Sequence, residues 1–84
     1  MSRMKITGRL PHKKAGKTYA VQVLVERTGR RGVWLGRVST GSNGWARIGA
    51  GEVTGKDEQA LRIAACSAFN IAFRAADIHE LGIE

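Results

Sequence analysis

Cysteine is nearly absent from this 84-residue chain, in which Cys66 is the only one. A single cysteine excludes an internal disulfide bond, and it cannot complete a metal site with two histidines that are distant in sequence. A small domain without disulfides is typical of reducing compartments. We therefore expect an intracellular, cytoplasmic protein without a metal or other cofactor.

Long hydrophobic runs are also absent. Residues 1–17 are basic and contain no continuous apolar stretch of the length that a signal peptide requires. The apolar stretch after residue 60 is interrupted by Arg62, Asn70 and Arg74, which argues against a membrane span. With 43% hydrophobic residues, the chain is expected to form a single small domain over residues 1–84.

Acidic residues are scarce in the first part of the chain. Residues 1–53 contain Glu26 and Glu52 against eleven lysines and arginines, whereas residues 54–84 contain five acids against three bases. This separation indicates a basic surface carried on a nearly neutral support. Nucleic acid is the polyanion that such a surface most commonly binds.

No arrangement of catalytic residues is apparent. His12 lies in a lysine-rich segment and His79 lies near Asp77 and Glu80, in neither case with a nucleophile or a metal-ligand spacing. Cys66 lies among alanines, where a buried, inert thiol is the ordinary role. The glycines belong to neither a Gly-Lys-Ser/Thr nor a GxGxxG pattern of phosphate-binding loops. We predict that the protein is not an enzyme.

Alternation of side chains with period two predicts strands in residues 18–53. Thr18–Thr28 carries a tyrosine and three valines on one face, which is typical of a half-buried strand. Gly29–Gly32 has the composition of a turn, and Val33–Thr40 forms the returning strand. We expect Thr28 to pair with Val33 in this hairpin.

A second turn is predicted at residues 42–44, followed by a third strand. A three-residue loop pairs Ile48 with Val38 and Ala46 with Thr40, which places Trp45 and Arg47 with Arg37 on the face of the sheet that is not covered by a helix. A two-residue turn would reverse the two faces. Gly49–Val53 is predicted to be a connector.

Residues 54–82 are predicted to form the C-terminal helix. Thr54 with Asp57 resembles a capping box, the periodic segment spans Lys56–Leu81, and Gly82 is a natural terminator. The side expected to face the sheet is rich in alanine and consists of Leu61, Ala64, Ala65, Ala68, Ile71, Ala72, Ala75 and Ile78.

These elements predict an α+β fold, with an antiparallel meander sheet packed against one long C-terminal helix. The sheet has three strands if residues 1–17 form a basic arm, and four if they form an edge strand. Residues 18–53 supply the rest of the sheet, and residues 54–82 supply the helix.

The candidate nucleic-acid-binding residues are the bases of the predicted turns and open sheet face, together with one tryptophan that can stack on bases. They are Lys13, Lys14, Lys17, Arg30, Arg31, Arg37, Trp45 and Arg47. Two other interpretations stay open: Arg30 and Arg31 keep a sheet edge soluble, or Trp45 caps the core while Arg37 pairs with Glu26. We expect a non-enzymatic domain that binds nucleic acid, with duplex DNA favoured over RNA.

A separate side of the predicted helix carries Ile63, Cys66, Phe69 and Phe73. A sheet on one side of the helix is expected to leave the two phenylalanines partly uncovered, which predicts a homodimer or partner interface. Burial beneath the N-terminal segment is the alternative. The corresponding second function is a protein-interaction module, such as a small phage or bacterial regulator or inhibitor.

The predicted order of three strands and one helix resembles, in architecture, the arm-site-binding domain of phage tyrosine integrases and its plant ethylene-response-factor relatives. The stretch from Trp45–Gly49 through Thr54 to Glu58–Ala60 is similar to their sheet-to-helix transition. That resemblance implies a sheet face that enters the major groove of DNA. Double-stranded RNA-binding domains also place three strands before a helix. They begin with a helix, where this chain has Gly8 and Pro11.

Overall fold

The structure, a computed structural model, describes residues 2–41 and 44–83. Its elements are four strands followed by one helix: β1 (Ser2–His12), β2 (Lys17–Thr28), β3 (Arg31–Ser39), β4 (Trp45–Thr54) and α1 (Glu58–Ala75).

The strands form one antiparallel sheet in the order β1-β2-β3-β4, and α1 packs against one face of it. The predicted α+β fold is thereby confirmed, in its four-stranded form. The N-terminal residues form an edge strand rather than an arm, since β1 pairs with β2 from Ser2↔Arg27 to His12↔Lys17.

The register of the β2–β3 hairpin differs from the prediction. Thr28 pairs with Arg31 instead of Val33, because the turn consists of Gly29 and Arg30 alone. Gly29 has a φ of 63°, a left-handed conformation that glycine adopts without steric cost. A shift by two residues leaves every side chain on its predicted face, so the valine face of β2 still forms the core.

The predicted connector at Gly49–Val53 is wrong, because β4 continues through it. Arg37 pairs with Arg47 and Gly36 pairs with Gly49, so that Ile48 is an extra residue in a β-bulge. The bulge accounts for the break in the alternation of side chains at this point of the sequence. The predicted turn at 42–44 includes Ser42 and Asn43, which lie outside the described residues.

The helix is shorter than the predicted Lys56–Leu81. Its N-cap is Asp57, whose carboxylate accepts a hydrogen bond from the Ala60 amide at 2.8 Å. After α1, Ala76 has an extended backbone, and the side chain of Asp77 accepts hydrogen bonds from the following amides. This turn buries Ile78 and Ile83 against the core.

The prediction that Phe69 and Phe73 are partly uncovered is wrong. Both rings are buried, and they stack on each other with centroids 5.9 Å apart. The reason lies in the sheet, where Gly36 has no side chain and leaves room for the Phe69 ring. The helix therefore presents its phenylalanines to the sheet, and Ile71, predicted to face the sheet, is 72% exposed.

Candidate nucleic-acid interface

The face of the sheet opposite α1 is covered by no described element, and we call it the open face. Alternation along the strands assigns its residues: Arg3, Lys5, Thr7 and Arg9 of β1, Ala20, Gln22, Leu24 and Glu26 of β2, Arg31, Val33, Leu35 and Arg37 of β3, and Trp45, Arg47, Ala50 and Glu52 of β4. The predicted placement of Arg37, Trp45 and Arg47 on one face is confirmed.

Charge on the open face is unevenly distributed. Its two carboxylates lie in one row of the sheet, where Glu26 pairs with Arg3 at 3.2 Å and Glu52 pairs with Arg31 at 2.6 Å. The remaining cations have no carboxylate within ion-pair distance among the described residues. These cations are Lys5, Arg9, Arg37 and Arg47. One end of the face is therefore close to neutral, and the other is positive.

Trp45 lies at the positive end and is 44% exposed. The guanidinium of Arg37 lies over its ring, with 5.1 Å from Cζ to the ring centroid. Arg37 is held in turn by Gln22, a buried residue whose Oε1 accepts a hydrogen bond from Arg37 Nε. The alternative Arg37–Glu26 pair does not form, because the register places Arg37 opposite Gln22, four residues from Glu26 along β2. Gln22, Arg37 and Trp45 thus form a connected unit on the open face.

Apolar side chains occupy the middle of the open face. Leu24 and Leu35 are paired neighbours and are half-buried, and Val33 next to them is 56% exposed. Ala50 extends this strip onto β4. The face is therefore an apolar strip with cations at its margins rather than a continuous field of charge.

The predicted lysines adjoin the positive end. Lys13 and Lys14 lie in the β1–β2 turn, and Lys17 begins β2, with its Nζ 5.6 Å from the Tyr19 ring centroid. Trp45 begins β4 at this same end of the sheet, because the strands are antiparallel. The structure thus brings the lysines and Trp45 to one end.

The predicted arginines of the hairpin tip lie at the opposite end. The twelve residues of β2 separate Lys17 from this tip by roughly 35 Å. Arg31 is bound to Glu52, and the carbonyl of Arg30 accepts a hydrogen bond from the Gly55 amide at 2.9 Å. Arg30 and Arg31 therefore belong to a tip that is tied to the β4–α1 connection.

Arg9 is a further candidate, which is not among the eight nucleic-acid-binding residues predicted from the sequence. Its Nη2 donates to the carbonyl of Thr18 at 3.3 Å and to its hydroxyl at 3.4 Å, which directs the guanidinium along the open face. Once residues 2–12 are recognised as a strand, the alternation of side chains places Arg9 on the opposite face from Leu10, and this would have indicated its position on the open face.

The other predicted interface is only partly exposed. Ile63 is 60% exposed, Cys66 is half-buried, and Phe69 and Phe73 belong to the core. Ile63 and Cys66 line an apolar groove of about 520 Å³ between α1 and β1. This groove exists because α1 packs mainly over β2, β3 and β4.

The described residues contain no group of three His, Cys, Asp or Glu side chains that could hold a metal ion. His12 is buried in a T-shaped contact with the ring of Phe73, and neither of its nitrogens has a hydrogen-bond partner. His79 is exposed in the turn after α1. Among the described residues, no helix has the length and apolar character needed to cross a membrane.

Comparisons of the chain with protein families, with curated proteins and with solved structures find no match.

Proposed function

We propose that this protein is a non-enzymatic domain that binds nucleic acid through the positive end of the open face. The observation that carries the proposal is the segregation of charge. Both carboxylates of the face lie in one row and are paired, whereas Lys5 in the middle of the face and three arginines toward the other end, Arg9, Arg37 and Arg47, have no acidic partner among the described residues. Cations whose charge is not offset by a carboxylate attract phosphates, and binding releases the counterions of the polyanion.

The roles of the individual residues follow from their positions. Arg9, Arg37 and Arg47 contact phosphates, and Trp45 packs against bases or sugars. Lys13, Lys14 and Lys17 extend the positive potential beyond the end of the sheet and add affinity that depends strongly on salt. Arg30 and Arg31 lie at the other end of the sheet, where Arg31 is already paired with Glu52, so they are not assigned to this contact.

A pair of charge-reversal variants tests the proposal. Arg9→Glu/Arg47→Glu changes the open face, and Arg62→Glu/Arg74→Glu makes the same change in net charge on the exposed side of α1. The probes are fluorescent duplex DNA, duplex RNA and single strands, measured by anisotropy at about 50 and 200 mM salt. The duplex DNA favoured by the sequence stays a prediction and is one of these probes.

We expect the open-face variant to lose more than about tenfold in affinity, and the slope of log affinity against log salt to fall by about 1.4 to 1.8. The α1 variant should retain the affinity of the unchanged protein to within about threefold. Equal losses in the two variants would mean that net charge alone attracts the nucleic acid. Absence of binding to every probe at the lower salt would refute the proposal.

A second candidate function is association of two copies through α1. The outward side of α1 carries Ile63 and Ile71, 60% and 72% exposed, with Ser67 between them. In an antiparallel pair of helices, the basic last turn with Arg74 lies near the acidic first turn with Glu58 of the other copy.

Sedimentation equilibrium tests this association. The unchanged protein should sediment as a dimer and Ile63→Ser/Ile71→Ser as a monomer. Val33→Ser, which removes an exposed valine from the open face, should remain dimeric. A monomer at the highest attainable concentration of the unchanged protein would exclude this candidate.

A further inference from the structure

We propose that the ligand of the open face is single-stranded nucleic acid, whose bases lie on Trp45 and on the apolar strip of Leu24, Leu35 and Val33. This inference rests on the proposed function and specifies its substrate. It depends on three features of the sheet: an apolar strip between cations, the width of four strands, and a hairpin tip that is tied back.

The apolar strip distinguishes the two forms of nucleic acid. A duplex presents phosphates on its outside and hides the flat faces of its bases within the stack, so that Leu24 and Leu35 would be placed against charged groups. A single strand exposes both faces of each base, and these stack on aromatic rings and pack on apolar side chains. Cations at the margins of the strip are then in reach of the phosphates.

The width of the sheet opposes insertion into a duplex. The axes of the outer strands are about 14 Å apart, three spacings of about 4.8 Å, before side chains are counted. The major groove is about 12 Å wide and admits a helix or a two-stranded ribbon. The Gly29–Arg30 turn of the β2–β3 hairpin is hydrogen-bonded to Gly55 and adjoins the Arg31–Glu52 pair, so it does not stand free for insertion.

Trp45 is held ready for stacking before any ligand binds. The hydrogen bond from Arg37 to buried Gln22 fixes the guanidinium of Arg37 over the indole, while Trp45 remains 44% exposed. Arginine planes also stack on bases, so the pair offers two adjoining surfaces for unpaired nucleotides.

The test compares a dT oligonucleotide of about 20 nucleotides with a duplex of the same length at about 100 mM salt. We expect the single strand to bind at least about tenfold more tightly. It should also quench the fluorescence of exposed Trp45. Trp34 is buried and cannot stack on the ligand, so the quenching should disappear in Trp45→Phe.

Trp45→Leu should weaken single-strand binding by about tenfold or more and duplex binding by less than about threefold. Trp45→Phe, which keeps an aromatic ring, should retain most of the affinity. Leu81→Ala is the matched control, because it removes another exposed apolar side chain, 41% exposed, that lies outside the open face.

Failure of this inference can be distinguished from failure of the proposed function. Equal or tighter binding of the duplex, or an unchanged affinity of Trp45→Leu for the single strand, overturns this inference. If Arg9→Glu/Arg47→Glu still abolishes binding in that case, the proposed function stands. Absence of binding to both probes overturns both.

Discussion

Gly36→Ala is predicted to destabilise the fold by about 3 kcal/mol, at the upper end of the range for overpacked cores. A Cβ at this position would lie 2.0 Å from Cδ1 and 2.5 Å from Cε1 of Phe69. The ring has little freedom to move, because it stacks on Phe73 and makes a T-shaped contact with Trp34, with 6.5 Å between the centroids. The whole helix must therefore shift.

Such a loss is large for a chain of this size, whose total stability we expect to be about 4 to 13 kcal/mol. Urea denaturation, monitored by circular dichroism, measures this loss in the free energy of unfolding. Gly8→Ala is the matched control in the same sheet, because no atom lies within 4 Å of its Cβ position. This control should change the free energy of unfolding by less than about 1 kcal/mol.

A double variant tests the cause of the loss. In Gly36→Ala/Phe69→Leu the smaller side chain should relieve the clash, so the combined loss should be at least about 1 kcal/mol less than the sum of the two single losses. Additive losses, or equal denaturation midpoints for Gly36→Ala and Gly8→Ala, would mean that Phe69 does not occupy the space above Gly36.

Three further predictions concern single residues. Tyr19→Phe should raise the free energy of unfolding by about 1 kcal/mol, because the buried hydroxyl has no hydrogen-bond partner; a lower denaturation midpoint would contradict this. Asp57→Ala should lower it by about 1 kcal/mol through loss of the helix cap, whereas Asp57→Asn keeps an acceptor and should lower it less in the same assay. Glu52→Gln should alter stability by less than about 1 kcal/mol, since its ion pair is exposed. The same change should increase nucleic-acid affinity severalfold in anisotropy at low salt, and an unchanged affinity would place this row outside the interface.

Strands and their faces could be predicted from sequence because alternation is a local property. The face of Arg37, Trp45 and Arg47 was predictable although the pairing differs from the predicted one, with Arg31 opposite Thr28 and Ala46 opposite Val38. A shift by two residues preserves the face. The bulge at Ile48 was not predictable, because alternation alone does not show where an extra residue is inserted.

The orientation of α1 could not be read from its own periodicity. Alanines and phenylalanines both recur at helical spacing, and the choice between them depends on Gly36, which is distant in sequence. A glycine in a sheet leaves a space that a large side chain from the helix must fill in a close-packed core. This constraint is evident only when the strands and the helix are considered together. The segregation of charge on the open face depends on register in the same way, because Glu26 and Glu52 meet their arginines across strands.

The positions of the two candidate surfaces lead to one further prediction. Two copies that associate through the outward side of α1 would hold their open faces on opposite sides of the dimer. A strand of about 20 nucleotides would contact one face, whereas a strand about three times as long could reach both and gain affinity without new kinds of contact. Ile63→Ser/Ile71→Ser should therefore leave the affinity for the short strand unchanged and remove the extra affinity for the long one, as measured by anisotropy with both lengths. An equal loss for both lengths would place the helix within the nucleic-acid interface itself.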